Sequence, residues 1–133
     1  MNLNEYQELA QRTCNMTEKS IAKIENGILG MCGESGECAD ILKKYLHQGH
    51  KLDPDKLAEE IGDVLWYVAE AAAGLGITLE QIAQRNIAKL KKRYPDGFDP
   101  ERSIHRPEYQ HQEPKNVSES ASEHLFEMRN KTV

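Results

Sequence analysis

The chain has 133 residues, 29% of them charged and 38% hydrophobic, with a formal net charge of −5. That size predicts a single domain with a core of its own. The acidic balance excludes a uniformly basic nucleic-acid binder, and 6% aromatic residues argue against base-stacking platforms.

Helical periodicity dominates from about residue 3 to residue 94. A first helix is expected over about Asn4 to Cys14. Asn15 with Glu18, or Thr17, then offers an N-cap for a long second helix that ends near Gly49. Its apolar stripe reads Ile21, Ile24, Ile28, Met31, Cys38, Leu42 and Tyr45 at steps that keep to one face. Asp53-Pro54 restarts the chain, since Asp caps and Pro fits the first helical position. The third helix carries Leu57, Ile61, Val64, Leu65, Val68, Ala72 and Leu75, and Gly74-Leu75-Gly76 ends it. Thr78 with Gln81 starts a fourth helix bearing Leu79, Ile82, Ile87 and Leu90, and Pro95-Asp96-Gly97 stops it. No stretch alternates with period two. The expected fold is therefore all-α, a bundle of about four helices with helices two, three and four packed together and helix one against them. Residues 1–104 are expected to form the domain. Residues 105–133, rich in Pro, Gln, His, Ser and Glu, are expected to be a polar tail, flexible or packed on a partner subunit, with a short helix possible over 120–129. The sequon Asn116-Val117-Ser118 carries little weight without a secretory signal.

No membrane span is expected, because the apolar run from Val64 stops at Glu70. The start Met1-Asn2-Leu3-Asn4-Glu5 lacks the basic and apolar regions of a signal peptide. Cys14, Cys32 and Cys38 are odd in number and form no CxxC, which suits reduced thiols in a cytoplasm. Cys32 and Cys38 read as packing residues, and His47 and His50 as helix-end or loop residues.

Helix two carries Glu34 and Glu37, and helix three carries Glu60 and Asp63. Each pair is spaced i, i+3, so both side chains lie on one face. On antiparallel helices the pairs would face each other. At ~4 Å and an effective dielectric of ~20, a like-charge pair costs about 4 kcal/mol, so such a cluster calls for a cation. All-oxygen ligands favour Mg²⁺, with Mn²⁺ the alternative. Solvent-facing helix charges are the plain alternative, and a lone ExxE is common. Three features weigh against it. The stripes Gly27, Gly30, Glu34, Glu37, Ile41, Lys44 and Lys56, Glu60, Asp63, Tyr67, Glu70 both flank the apolar face and so would border a cleft. Gly27, Gly30, Gly33 and Gly36 recur every third residue, each costing about 1 kcal/mol in a helix interior, which calls for close helix approach or room for a ligand. Finally, Asp53 to Glu70 has a net charge of −5 and Arg85 to Arg93 a net charge of +5. An acidic metal site beside a basic strip suits a metal–polyphosphate substrate. Trp66 and Tyr67 are either bundle core, the preferred reading for Trp66, or surfaces on which a base stacks.

Glu34-x-x-Glu37, 22 residues, then Glu60-x-x-Asp63 resembles the ExxE…ExxD signature of MazG-like nucleotide pyrophosphohydrolases, of the all-α NTP pyrophosphatase superfamily. The segments Gly33-Glu34-Ser35-Gly36-Glu37, Glu59 to Tyr67 and Asn86 to Phe98 are similar to the family's own. The resemblance covers about residues 18 to 104. It implies Mg²⁺-dependent cleavage of a nucleoside triphosphate to monophosphate and pyrophosphate; the expected role is nucleotide-pool cleaning, with control of nucleotide pools or a role in a phage genome as alternatives. The resemblance also implies Glu34, Glu37, Glu60 and Asp63 as metal ligands; in a metal-assisted hydrolysis one carboxylate, Glu37, is expected to orient or deprotonate the attacking water. Asn86, Lys89 and Arg93 would contact phosphates, and the chain would form a homodimer or homotetramer. No nucleic-acid or membrane partner is expected. The competing readings are a non-catalytic helical interaction module, a relative acting on phosphoribosyl-ATP or a single dNTP, and a di-iron bundle. The last is disfavoured because neither Glu34 nor Glu60 has a His three residues on.

Overall fold

The computed structural model describes residues 1–15 and 20–105. Thr17 and Glu18, the expected 120–129 helix and the sequon lie outside the described residues. The protein is all-α, with five helices and no strand among the described residues: α1 (Leu3–Gln11), α2 (Ile21–His47), α3 (Pro54–Leu75), α4 (Leu79–Arg93) and α5 (Pro100–Ile104). The chain divides into two compact units, one of Met1–Glu80 and one beginning at Gln81. None of these helices is long and apolar enough to cross a membrane.

Local sequence explains most boundaries. Asn2 and Glu5 close a reciprocal capping box on α1. Ser20, not a residue of the Asn15–Glu18 stretch, caps α2 by accepting from the Lys23 N–H. Asp53 caps α3 by accepting from the Lys56 N–H, with Pro54 opening the helix. Gly76, at φ 71°, ends α3, and the Ile77 N–H turns back to the Ala72 carbonyl at 3.0 Å. Asp99-Pro100 opens α5 with the same Asp-Pro signal that opens α3. That helix was not expected from the sequence, because the change in composition after Asp99 outweighed its cap.

In the first unit α2 packs along α3, and α1 against α3. Gly74 meets Ile24, Gly27 meets Ala71 and Gly30 meets the Tyr67 ring, so the two long helices run antiparallel. The packing face differs from the expected one. Most of the apolar stripe of α2 does not face α3: Ile21, Ile28, Leu42 and Tyr45 are exposed, whereas Lys23 and Gly27 are buried, and of the stripe Ile24 meets α3 at Gly74. On α3, Ile61, Leu65 and Leu75 are exposed, while Ala69, Glu70, Ala71, Ala72 and Gly74 are buried. The stripes expected to flank the contact are the contact. The physical reason is size: glycine and alanine let two backbones approach more closely than branched side chains allow. Among the described residues the buried apolar ones are four alanines, Ala10, Ala69, Ala71 and Ala72, with Leu79 the larger exception.

α1 is fixed by polar bonds. The Gln7 side chain donates to the Ile77 carbonyl at 3.1 Å and accepts from the Leu79 N–H at 2.8 Å. It thereby satisfies an N–H that the start of α4 leaves without a partner of its own. The Trp66 indole N–H donates to Thr13 Oγ1 at 2.8 Å and to the Ala10 carbonyl at 3.1 Å.

Candidate metal centre

The antiparallel register carries the carboxylates together. Moving from Gly27–Ala71 through Gly30–Tyr67, one further turn brings Glu34 level with Asp63. Glu34, Glu60 and Asp63 each offer an oxygen, and those oxygens all lie within 4.8 Å of one another. Glu34 and Glu60 are half-buried and Asp63 is exposed. The Glu34 carboxyl is pushed above its ordinary range, first by burial, then by the charges of Asp63, Glu60 and Glu37, with a hydrogen bond to Glu60 adding to the shift. Glu34 thus holds its proton more tightly than usual because of burial and the like charges that surround it. A cation relieves the same repulsion. The donors are all carboxylate oxygens, the set that suits a hard divalent ion, so the residues fit Mg²⁺ or Mn²⁺.

Glu37 stands apart from this triad. It is exposed and lines a separate hollow of about 250 Å³ with Asp40, Lys44, His50, Lys51 and Lys56. Lys43 and Lys44 both pair with Asp40 and hold its carboxyl at about 2, hydrogen bonds from Lys43 and then Lys44 being the leading causes. Those two cations therefore serve Asp40.

A cleft of about 430 Å³ opens beside the triad, lined by Thr13, Glu34, Asp63, Trp66 and Tyr67. Trp66 and Tyr67 are half-buried and meet edge to face, with ring centroids 4.9 Å apart. Trp66, expected in the core, instead forms a wall of this cleft. Thr13 brings in the end of α1, and Tyr6 also belongs to this neighbourhood. Its hydroxyl is pushed up by burial first and by Asp63 second. Sequence reasoning missed Thr13 and Tyr6, because no local pattern ties them to residues some 50 positions away.

Asn86, Lys89 and Arg93 lie on α4 at spacings that keep to one helix face. Asn86 and Lys89 are exposed. Arg93 is half-buried, its guanidinium 5.9 Å from the Tyr94 ring centroid. All three cysteines are free. Cys32 is exposed and Cys38 half-buried, where both were expected to pack. Of the four regularly spaced glycines, Gly27 and Gly30 are explained by close approach to α3. Nothing in the structure explains Gly33 and Gly36.

The family model of the MazG nucleotide pyrophosphohydrolase domain matches residues 22–98. A protein of Mycobacterium phage L5, the "Gene 37 protein", is 38% identical over 82 residues, covering 59% of this chain and 72% of its own length. Its name states no activity. No solved structure matches the chain.

Proposed function

Because this chain belongs to the MazG nucleotide pyrophosphohydrolase family, we propose that it hydrolyses nucleoside triphosphates, ribo or deoxy, to the monophosphate and pyrophosphate with Mg²⁺ as cofactor. The observation that carries this reading is the convergence of Glu34, Glu60 and Asp63 from two antiparallel helices, each with an oxygen within 4.8 Å of the others. Such a set is costly without a cation and useful with one.

Glu34, Glu60 and Asp63 would hold the ion, and Glu37, one turn along α2, would supply a further carboxylate. When bound, Mg²⁺ would polarise phosphoryl oxygens and make the attacking water more acidic. The chain's own groups do the rest. Glu37 orients the attacking water and accepts its proton. The water oxygen bonds to the α-phosphorus, the bond to the α–β bridging oxygen breaks, and pyrophosphate leaves. Asn86, Lys89 and Arg93 contact the phosphates and balance the charge of the leaving group. Thr13 and Trp66 wall the cleft and restrict solvent.

The exposed apolar stripe supports a homodimer or homotetramer. Ile28, Leu42 and Leu46 on α2 share a face roughly a third of a turn from the contact with α3. Leu29 and Leu46 are each 65% exposed and Ile61 56%. A second copy of the chain would cover these residues. The role would be removal of unwanted nucleotides from a cytoplasmic pool.

The test is an end-point assay on canonical and modified NTPs and dNTPs, with and without Mg²⁺, the products being resolved by ion exchange. Monophosphate plus pyrophosphate, only with metal, is expected. Diphosphate plus orthophosphate would overturn the bond assignment. No turnover across the panel, together with no Mg²⁺ binding by calorimetry, would leave the interaction-module reading.

A further inference from the structure

We propose that Glu70 is a positioning residue for the acidic cleft, its buried carboxylate fixing the end of α1 and the second turn of α2 to α3 so that Thr13 stands beside Glu34 and Asp63. The activity readout of this inference rests on the hydrolase reading above, and the fluorescence readout does not.

Glu70 lies two turns beyond Asp63 on the same face of α3, yet it is not one of the three converging carboxylates. It is only 1% exposed and is the largest fully buried side chain among the described residues. A buried carboxyl is costly unless its oxygens are satisfied. Here both are: Oε2 accepts from Asn26 Nδ2 at 2.7 Å, and Oε1 accepts from Cys14 Sγ at 3.2 Å. The donors come from two different parts of the fold. Asn26 is on α2, one turn before the Gly30–Tyr67 contact. Cys14 follows Thr13, the residue that carries α1 into the cleft.

Two adjacent residues at the end of α1 are therefore held by α3, Thr13 through the Trp66 indole and Cys14 through Glu70. Glu70 also reaches α2, so it sets the spacing of all three helices around the cleft. Both of its oxygens are engaged inside the packing, and neither belongs to the converging set of Glu34, Glu60 and Asp63. Its contribution is geometric, and the bonds need one acceptor set and one amide without regard to which residue supplies which.

That symmetry gives the experiment. Asn26→Asp alone sets two carboxyl groups against each other. Asn26→Asp combined with Glu70→Gln restores one carboxylate and one amide, and the substituted amide's carbonyl still accepts the Cys14 thiol. Turnover of a nucleoside triphosphate by the full chain, calorimetric Mg²⁺ binding and the emission of Trp66, the sole tryptophan, are measured for each variant. Glu70→Ala and Asn26→Asp should raise KM about tenfold with a smaller change in kcat, and should shift Trp66 emission to the red as Thr13 moves off the indole N–H. The double variant should recover KM and emission to within about threefold of wild type and to the wild-type wavelength respectively. Glu70→Gln should bind Mg²⁺ as wild type does. The proposal is overturned if Glu70→Gln loses Mg²⁺ binding, which makes Glu70 a ligand, or if the double variant stays as impaired as Asn26→Asp. It is equally overturned if Glu70→Ala leaves KM and Trp66 emission unchanged. Should wild type hydrolyse no nucleotide, the hydrolase reading fails and the emission series still decides on Glu70.

Discussion

Replacing Gly27 with alanine should force α2 away from α3, and replacing Gly33 should not. A Cβ at position 27 would lie 2.7 Å from the Ala71 backbone nitrogen and 2.9 Å from its Cα. Ordinary contact begins at 3.4 Å, so the backbones must part by about 0.7 Å, a shift that core overpacking prices at ~1–3 kcal/mol. Alanine returns ~1 kcal/mol of helix propensity, leaving a net loss of about 0–2 kcal/mol. At Gly33 and Gly36 an added Cβ meets nothing within 4 Å, so each should gain about 1 kcal/mol. The same chemical change thus differs by about 1–3 kcal/mol between Gly27 and Gly33, or ~4–12 °C in Tm at ~4 °C per kcal/mol for a domain of this size. Differential scanning calorimetry at fixed protein concentration reads it. The strain should also reach the carboxylates, whose oxygens now sit within 4.8 Å of one another, and weaken Mg²⁺ binding severalfold. A Gly27→Ala protein as stable as Gly33→Ala would refute the close-approach argument.

Glu34→Gln should abolish turnover and Mg²⁺ binding while raising the Tm of the metal-free protein at neutral pH, because it removes one of the repelling charges; an unchanged kcat would sink the site assignment. Since the folded state raises the Glu34 pKa, it binds the proton more tightly than the unfolded state does. The contribution is therefore fully present below the ordinary carboxyl range and lost as pH rises through the raised value. Metal-free Tm should fall over that rise while the stabilisation by added Mg²⁺ grows, both trends vanishing in Glu34→Gln, and a thermal-shift series from about pH 5 to 8 tests the pair. Glu37→Gln should lower kcat about 10²–10⁴-fold with Mg²⁺ binding largely kept, as removal of a base does; equal loss of both would make Glu37 a ligand alone. Gln7→Ala should destabilise by about 2–3 kcal/mol, since the Leu79 N–H and Ile77 carbonyl lose their partner, and urea unfolding reads it. Under the proposed homo-oligomer, Leu46→Glu should lower the mass read by light scattering, and an unchanged mass would refute this face of α2 as the interface.

Much of this protein is legible in order along the chain. Asp53-Pro54 and Gly76 set helix ends because caps act over three or four residues and need nothing from the rest of the fold, and the Asn2–Glu5 box that starts α1 acts by the same local rule although the sequence reading began that helix at Asn4. The i, i+3 spacing of Glu34–Glu37 and Glu60–Asp63 places each pair on one face for the same local reason. Glu70 is legible in the sequence as the charge that stops the apolar run from Val64 and as a member of the stripe flanking the apolar face, but its partners Asn26 and Cys14 are not.

Packing was decided in three dimensions. An amphipathic pattern identifies an apolar stripe but does not say what covers it. In α2 the stripe of Ile21, Ile28 and Leu42 stays exposed, and the glycine and glutamate stripe meets α3. Backbones approach where side chains are smallest, so Gly27 against Ala71 and Gly30 against Tyr67 set the register. That register brings Glu34, Glu60 and Asp63 together and leaves Glu37 on the neighbouring hollow. It also draws the end of α1 into the cleft through Trp66 and Glu70. The sequence by itself determined which residues could carry the chemistry, because side-chain type and helical spacing are local. Only the tertiary structure decided which of them meet, because contact across helices depends on how closely two backbones can pack.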